Sequence, residues 1–222
     1  MTWANGKNGA STVARILVAD DHAIFRRGLK ETLRGEFPKA TFGEARTADE
    51  ALEIIRQKDW DLAVLDINMP GKSGLEILRE IRAARPTMPV LILSMYPEEQ
   101  FARRALKAGA SGYLTKESVP EELTEAVRKV LHGGRYVSMG LAERLASDLG
   151  RRSDAPLHER LSDREFQVLR MIASGMTVKD IAERLEVSVK TVSTYRARVL
   201  LKTGLRSTAD LVRYAVQSGL VN

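Results

Sequence analysis

The 222-residue chain contains no cysteine, which excludes disulfides, iron–sulfur clusters and thiolate zinc sites and says little about compartment. Histidine is scarce too. His22, His132 and His158 have no metal-ligand spacing, so each reads as a surface or helix-end residue. No apolar run approaches the ~20 residues that a membrane span needs. The opening MTWANGKNGAST is polar and lacks the apolar segment of a secretory signal, so residues 1–14 read as a disordered leader. A cytoplasmic protein with no membrane partner is expected.

What is present is unevenly spread. The net charge is +6, yet 19 basic and 19 acidic side chains cancel between Arg15 and Leu131, whereas 11 basic residues face 7 acidic ones from Glu159 onward. The positive excess therefore lies towards the C-terminus, where a polyanion is the expected partner and a solvated basic face the alternative.

Short apolar runs punctuate the neutral part: RILVAD (15–20), DLAVLD (61–66), VLILSM (90–95) and GYLT (112–115), with a weaker ATFGEA at 40–45. Between them Phe25, Leu29 and Leu33, then Leu75, Leu78 and Ile81, then Leu123, Val127 and Val130 recur with helical spacing. Thr47 with Glu50 and Ser118 with Glu121 have the spacing of a capping box. Five strands alternating with helices predict a flavodoxin-like, doubly wound α/β domain whose five-stranded parallel sheet is covered on both faces. After Leu131 the pattern changes. One helix is expected at 139–149, and the polar stretch 150–158 reads as the flexible part of a linker. Ser162 with Glu165, Thr177 with Asp180, Ser188, and Ser207 with Asp210 then open four short helices, which make a small all-α bundle.

The stretch DLAVLDINMPGKSG (61–74) runs a buried-looking strand into a bare carboxylate, Asp66. Open α/β sheets put their ligand sites just past the carboxyl ends of their strands, although a lone acid there reads equally well as a turn residue. In a 2-1-3-4-5 strand order the first and third strands are neighbours, so Asp20, Asp21 and Asp66 share one crevice. Carboxylates that close repel one another, and a hard divalent cation such as Mg2+ relieves the repulsion. Ser94 ends the fourth strand and Lys116 follows the fifth, adding a hydroxyl and an ammonium at the same edge. Together the groups suit phosphoryl transfer to Asp66. Taken singly, Tyr113 reads first as a core-edge aromatic, and Ser94 and Lys116 also have plain readings as a turn residue and a surface cation.

The segments ADD (19–21), DINMPGKSG (66–74), LSM (93–95) and GYLTK (112–116) resemble the receiver domain of bacterial response regulators, over about residues 15–131. The resemblance implies that Asp66 is the phosphoacceptor and that Asp20, Asp21, Asp66 and the backbone carbonyl of Asn68 hold Mg2+. It implies that Ser94 and Lys116 bind the phosphoryl oxygens and that Tyr113 is a switch aromatic, moving inward when Ser94 is drawn to the phosphate. One departure is Glu117, which stands where many receivers have proline. Asn68 and Tyr96 occupy positions that control water access to the acyl phosphate in the family. A bulky Tyr96 predicts a phosphoryl lifetime of minutes or longer, and a decay within seconds would contradict that.

In the basic part, SVKTVSTYRARVLLKTG (188–204) carries no acid. With the preceding helix, which shows Ile181 and Leu185, and the short turn at 186–188, it has the form of a helix-turn-helix. Val192 and Val199 face inward, leaving Lys190, Ser193, Thr194 and Ala197 on the opposite face. The segment LSDREFQVLRMIASGMTVKDIAERLEVSVKTVSTY, followed by KTGL, resembles the C-terminal DNA-binding domain of NarL/FixJ (LuxR-type) regulators. That implies base contacts from Ser193, Thr194 and Ala197 and phosphate contacts from Lys190, Arg196, Arg198 and Lys202. Departures stand at Tyr195, at Arg196, which is expected to turn outward, and at Thr203, which is expected to pack the last turn less well. Leu211, Val212 and Ala215 read equally as a dimer seam and as the domain's own core.

The resulting expectation is a receiver at 15–133, a linker with a helix at 134–158 and a LuxR-type helix-turn-helix domain at 159–222. Its function would be that of a transcription regulator switched by phosphoryl transfer from a cognate sensor histidine kinase, binding double-stranded DNA as a homodimer when active. Catalysis would be limited to the receiver's own phosphoryl uptake and loss, so the chain is not expected to be an enzyme. A regulator that binds DNA without phosphorylation, controlled by ligand, partner or abundance, is the alternative, but such proteins usually lack a pocket acid and this chain keeps all of them. A Mg2+-dependent phosphatase has little use for a basic bundle, and Asn68 stands where haloacid-type phosphatases place a second aspartate.

Overall fold

The computed structural model describes residues 13–69, 72–149 and 156–221. They fall into two compact units divided between Asp148 and Leu149. Residues 1–12 of the expected leader and 150–155 of the expected flexible stretch lie outside the described residues.

In the first unit β1 (Arg15–Ala19), β2 (Thr41–Ala45), β3 (Leu62–Asp66), β4 (Val90–Ser94) and β5 (Gly112–Thr115) alternate with α1 (Ala23–Glu36), α2 (Ala48–Gln57), α3 (Gly74–Ala84), α4 (Glu98–Lys107) and α5 (Val119–Leu131). The strands pair in parallel in the order β2-β1-β3-β4-β5. Every residue of β3 and β4 is buried, as central strands covered on both faces require. On one face Ile16, Val18, Leu62, Val64, Leu91 and Leu93 join Leu29 and Leu33 of α1 and Leu123, Val127 and Val130 of α5 in a single apolar cluster. Side chains alternate along a strand, so Leu17, Leu65 and Ile92, also fully buried, serve the other face. Parallel pairing brings all five carboxyl ends to one edge, and the register Ala19↔Leu65 sets the residue after β1 beside the last residue of β3.

Helix starts follow side-chain oxygens placed to accept free amides. Thr47 accepts from the Glu50 amide, and Ser73 with Glu76 completes a capping box. Ser118 does not cap α5. Its backbone is already helical, its hydroxyl donates to the Thr115 carbonyl at 3.1 Å, and Pro120 starts the helix with φ preset and no amide to satisfy.

Helix α6 (Met139–Leu149) occupies the stretch where a linker helix is expected. The second unit holds a 3-10 turn (Leu157–Arg160), α7 (Asp163–Ala173), α8 (Val178–Leu185), α9 (Val189–Thr203) and α10 (Thr208–Gln217). Ser162 and Thr177 form full capping boxes, and Ser188 and Ser207 cap α9 and α10. Residues 157 and 158, expected in the flexible stretch, are instead in the turn, where the His158 amide donates to the Tyr214 hydroxyl at 3.2 Å. Helix α7 packs on α9 and α10, and α8 packs on α9. Leu211 and Ala215 are fully buried, so they belong to the core rather than to an exposed seam.

Candidate functional site

At the carboxyl edge of the sheet Asp20 and Asp66 are buried while Asp21 lies at the exposed rim. Lys116 reaches across from the end of β5. Its ammonium lies 2.6 Å from Asp20 Oδ2 and 2.8 Å from Asp66 Oδ2, over the Phe25 ring. The Asn68 amide donates to Asp66 Oδ1 at 3.1 Å, and the His22 amide donates to Asp20 Oδ1 at 2.8 Å. Burial pushes the Asp66 carboxyl above its ordinary range and Asp20 adds to that, with Lys116 and the Asn68 amide pulling the other way. Burial also works against the Lys116 charge, but Asp66 and Asp20 outweigh it and hold the ammonium above its usual range. The pocket therefore keeps a fixed cation against two buried acids. Glu117 does not disturb this arrangement, since the Lys116 amide donates to the Ser94 carbonyl at 2.8 Å and anchors the loop to β4.

Beneath Asp66 the first turn of α3 approaches unusually closely. The Gly74 amide donates to the Ile67 carbonyl at 2.9 Å, and a Cβ at Gly74 would stand 2.2 Å from the Asp66 carbonyl oxygen. Only glycine lets the helix start so near the acid.

Ser94 is buried, and its hydroxyl accepts from the Tyr96 amide at 3.0 Å. Tyr113 is fully buried, and its hydroxyl donates to the Tyr96 carbonyl at 2.7 Å, while the Tyr96 ring stacks on Phe101.

The four residues Asp20, Asp21, His22 and Asp66 offer possible ligand atoms within 4.8 Å of one another. His22 stands at the N-cap position of α1 without a side-chain capping bond, and its Nδ1 lies 2.7 Å from Asp21 Oδ1 and 3.3 Å from Asp20 Oδ1. Metal-ligand spacing among the histidines does not mark it; its place directly after Asp20 and Asp21 in the sequence does. Asp20 Oδ2 meets the Lys116 ammonium. Carboxylate oxygens grouped in this way fit a hard divalent cation.

In the second unit α8 and α9 are joined by a tight turn in which Glu186 takes the left-handed conformation (φ 53, ψ 44). Ile181 and Leu185 of α8 and Val192 and Val199 of α9 are buried, which turns the opposite face of α9 outward. Lys190, Thr194, Ala197 and Arg198 are exposed, and Ser193 and Arg196 are half-buried, so Arg196 is less outward than expected. Lys202 differs from the other cations, since its ammonium lies 2.6 Å from the buried Glu165 carboxylate of α7. Thr203 is buried rather than loosely packed, and its hydroxyl donates to the Val199 carbonyl at 2.7 Å.

Comparison with known proteins agrees with both halves. Residues 16–128 match the response regulator receiver domain and residues 159–215 match the bacterial regulatory proteins of the luxR family. The chain is 35% identical to the response regulator GacA of Pseudomonas aeruginosa, covering 94% of this chain and 98% of that one. It is 36% identical to the oxygen regulatory protein NreC of Staphylococcus epidermidis, over 93% and 99%. Among solved structures it resembles RcsB of Salmonella enterica serovar Typhimurium bound to promoter rprA in the presence of a phosphomimetic, with a TM-score of 0.63 and 25% identity, over 91% and 98% of the two chains. The chain belongs to the NarL/FixJ family of two-component response regulators, DNA-binding transcription regulators controlled by phosphorylation, with a receiver domain followed by a LuxR-type DNA-binding domain.

Proposed function

We propose that Asp66 accepts a phosphoryl group from a sensor histidine kinase and that its loading controls DNA binding through α9. The observation that carries this reading is the buried Lys116 ammonium between Asp20 and Asp66 at the carboxyl edge of the sheet. Burial keeps Asp66 basic, and Lys116 keeps it ionised, which together make a nucleophilic carboxylate. A carboxylate oxygen forms the bond to phosphorus while the phosphorus–nitrogen bond of the donor histidine breaks and the electron pair leaves with nitrogen. Asp20, Asp21 and Asp66, with the Asn68 carbonyl, would hold Mg2+, which supplies charge neutralisation for the phosphoryl oxygens. Lys116 and the Ser94 hydroxyl bind those oxygens after transfer. Ser94 and Tyr113 both bond the backbone of Tyr96, so a movement of Ser94 is felt at the switch aromatic.

In the second unit Ser193, Thr194 and Ala197 meet the base edges, and Lys190, Arg196 and Arg198 meet phosphates. Lys202 contributes chiefly through Glu165, a partner inside its own domain. The active form is a homodimer; its ligand is double-stranded DNA, in keeping with the promoter-bound RcsB structure, and the setting is the cytoplasm. No helix among the described residues is long and apolar enough to cross a membrane. The chain turns over no separate substrate; its chemistry is the uptake and loss of its own phosphoryl group.

Intact-mass spectrometry after incubation with acetyl phosphate and Mg2+ tests the assignment. The wild type should gain one phosphoryl group, and Asp66→Asn should gain none. An unmodified wild type, or equal labelling of the variant, would overturn it.

A further inference from the structure

We infer that Arg26 is a positioning residue for the acidic pocket, holding the backbone of Asp20 so that Asp20 and Asp21 keep their metal-binding spacing. The inference rests on the reading of those two acids as Mg2+ ligands.

Arg26 sits in α1 with 4% of its surface exposed, and arginine is almost never buried so fully without a partner. Its Nη1 donates to the Asp20 backbone carbonyl at 2.7 Å, and its Nε donates to Glu44 Oε2 on β2 at 3.3 Å. Lys30, one turn further along α1, also pairs with Glu44. Both α1 cations thus clasp a single acid of β2, and the guanidinium stays over the end of β1.

The position of the held carbonyl is what matters. Strand β1 ends at Ala19, and the Asp20 amide makes a last sheet bond to the Ala45 carbonyl at 3.2 Å. The first bond of α1 runs from the Arg26 amide to the His22 carbonyl at 3.0 Å. Between these two the chain turns, and the Asp20 carbonyl has Arg26 as its donor. Fixing that carbonyl fixes the peptide plane that leads into Asp21. The carboxylate of Asp20 leaves the same residue and reaches Lys116 at 2.6 Å. A guanidinium has donors enough in one rigid plane for a carbonyl and a carboxylate together, which a lysine cannot match.

The test uses the full chain with Arg26→Gln, Arg26→Lys, Glu44→Gln and, as a core control on α1 away from the pocket, Leu33→Ala. Mg2+ affinity is measured by calorimetric titration, the rate of labelling by acetyl phosphate is followed across Mg2+ concentrations, and thermal midpoints are recorded. Arg26→Gln should weaken Mg2+ binding by about 10- to 100-fold, the range for residues that orient metal ligands, while the labelling rate at saturating Mg2+ stays close to wild type. Arg26→Lys should recover part of the affinity, and Glu44→Gln should move it in the same direction by less. Leu33→Ala should lower the thermal midpoint and leave Mg2+ affinity unchanged. Wild-type affinity in Arg26→Gln overturns the inference, as does wild-type affinity in Glu44→Gln should Arg26→Gln fail to fold, or an equal weakening in Leu33→Ala. Failure of the wild type itself to bind Mg2+ removes the reading of the pocket and the inference with it, whereas unaltered variants of a Mg2+-binding wild type remove the inference alone.

Discussion

Asp66 is a carboxylate held where solvation is poor. Burial first, and the neighbouring Asp20 second among the unfavourable influences, lift its pKa above the ordinary 3.8 despite Lys116. A carboxyl whose folded pKa exceeds its unfolded one contributes stability that is fully present below the unfolded value and lost as pH rises through the folded value. At neutral pH its charge therefore weighs against the folded state. Asp66→Asn keeps the shape and removes that charge, and Lys116 retains Asp20 as a partner. The variant should be more stable in metal-free buffer, measured by urea denaturation; a less stable variant would show that Lys116 gains more from Asp66 than burial of the charge costs. Glu165 has the opposite sign. Burial tends to raise it, but Lys202 and the amide and hydroxyl of Ser162 outweigh burial and hold it below 4.5. Its contribution is present above 4.5 and lost as pH falls through the lower folded value. Wild type should exceed Glu165→Gln by about 1–2 kcal/mol at neutral pH, and the gap should close on acidification below 4.5. A gap that persists unchanged in acid would refute the charge-based explanation.

Among the elements, the turn between α8 and α9 carries the clearest local strain. Glu186 is the described non-glycine residue with positive φ, a conformation that costs an L-residue with a Cβ about 1–2 kcal/mol. Glu186→Gly should accordingly raise stability by roughly 1 kcal/mol, read as a higher midpoint in denaturation; a lower midpoint would show that the Glu186 side chain contributes more than its backbone costs. The strands and most helix starts were legible because each depends on residues close in sequence. Thr47, Ser162, Thr177, Ser188 and Ser207 all cap where their spacing predicts. Ser118 does not, because a cap also needs an extended backbone, which spacing does not encode. The acids and Lys116 were legible because strand ends in a parallel sheet share one edge. Gly74 and Arg26 were not, since their roles depend on atoms brought close only by the tertiary fold. Nor was the different role of Lys202: along α9 it resembles the other cations, and its partner Glu165 lies 37 residues away.

For the whole molecule, charge divides as the chemistry does. The neutral unit carries the acidic pocket, and the basic unit carries the exposed cations of α9. The proposed switch loads one carboxylate in the first unit and changes how tightly the second binds a polyanion. On the proposed reading, phosphoryl transfer would replace the single carboxylate charge of Asp66 with the nearly two charges of a phosphoryl group at neutral pH, and its oxygens would draw Ser94 and with it the Tyr96 backbone on which Tyr113 rests. Such a signal acts by biasing an existing two-state equilibrium. The decisive measurement is a binding titration of the full chain against a pool of genomic DNA fragments at fixed salt. It is run with Mg2+ alone and with Mg2+ plus acetyl phosphate, for wild type and Asp66→Asn. Tighter, sequence-selective binding is expected only for phosphodonor-treated wild type, with the variant unchanged by treatment; equal binding in all four conditions would overturn control of DNA binding through Asp66.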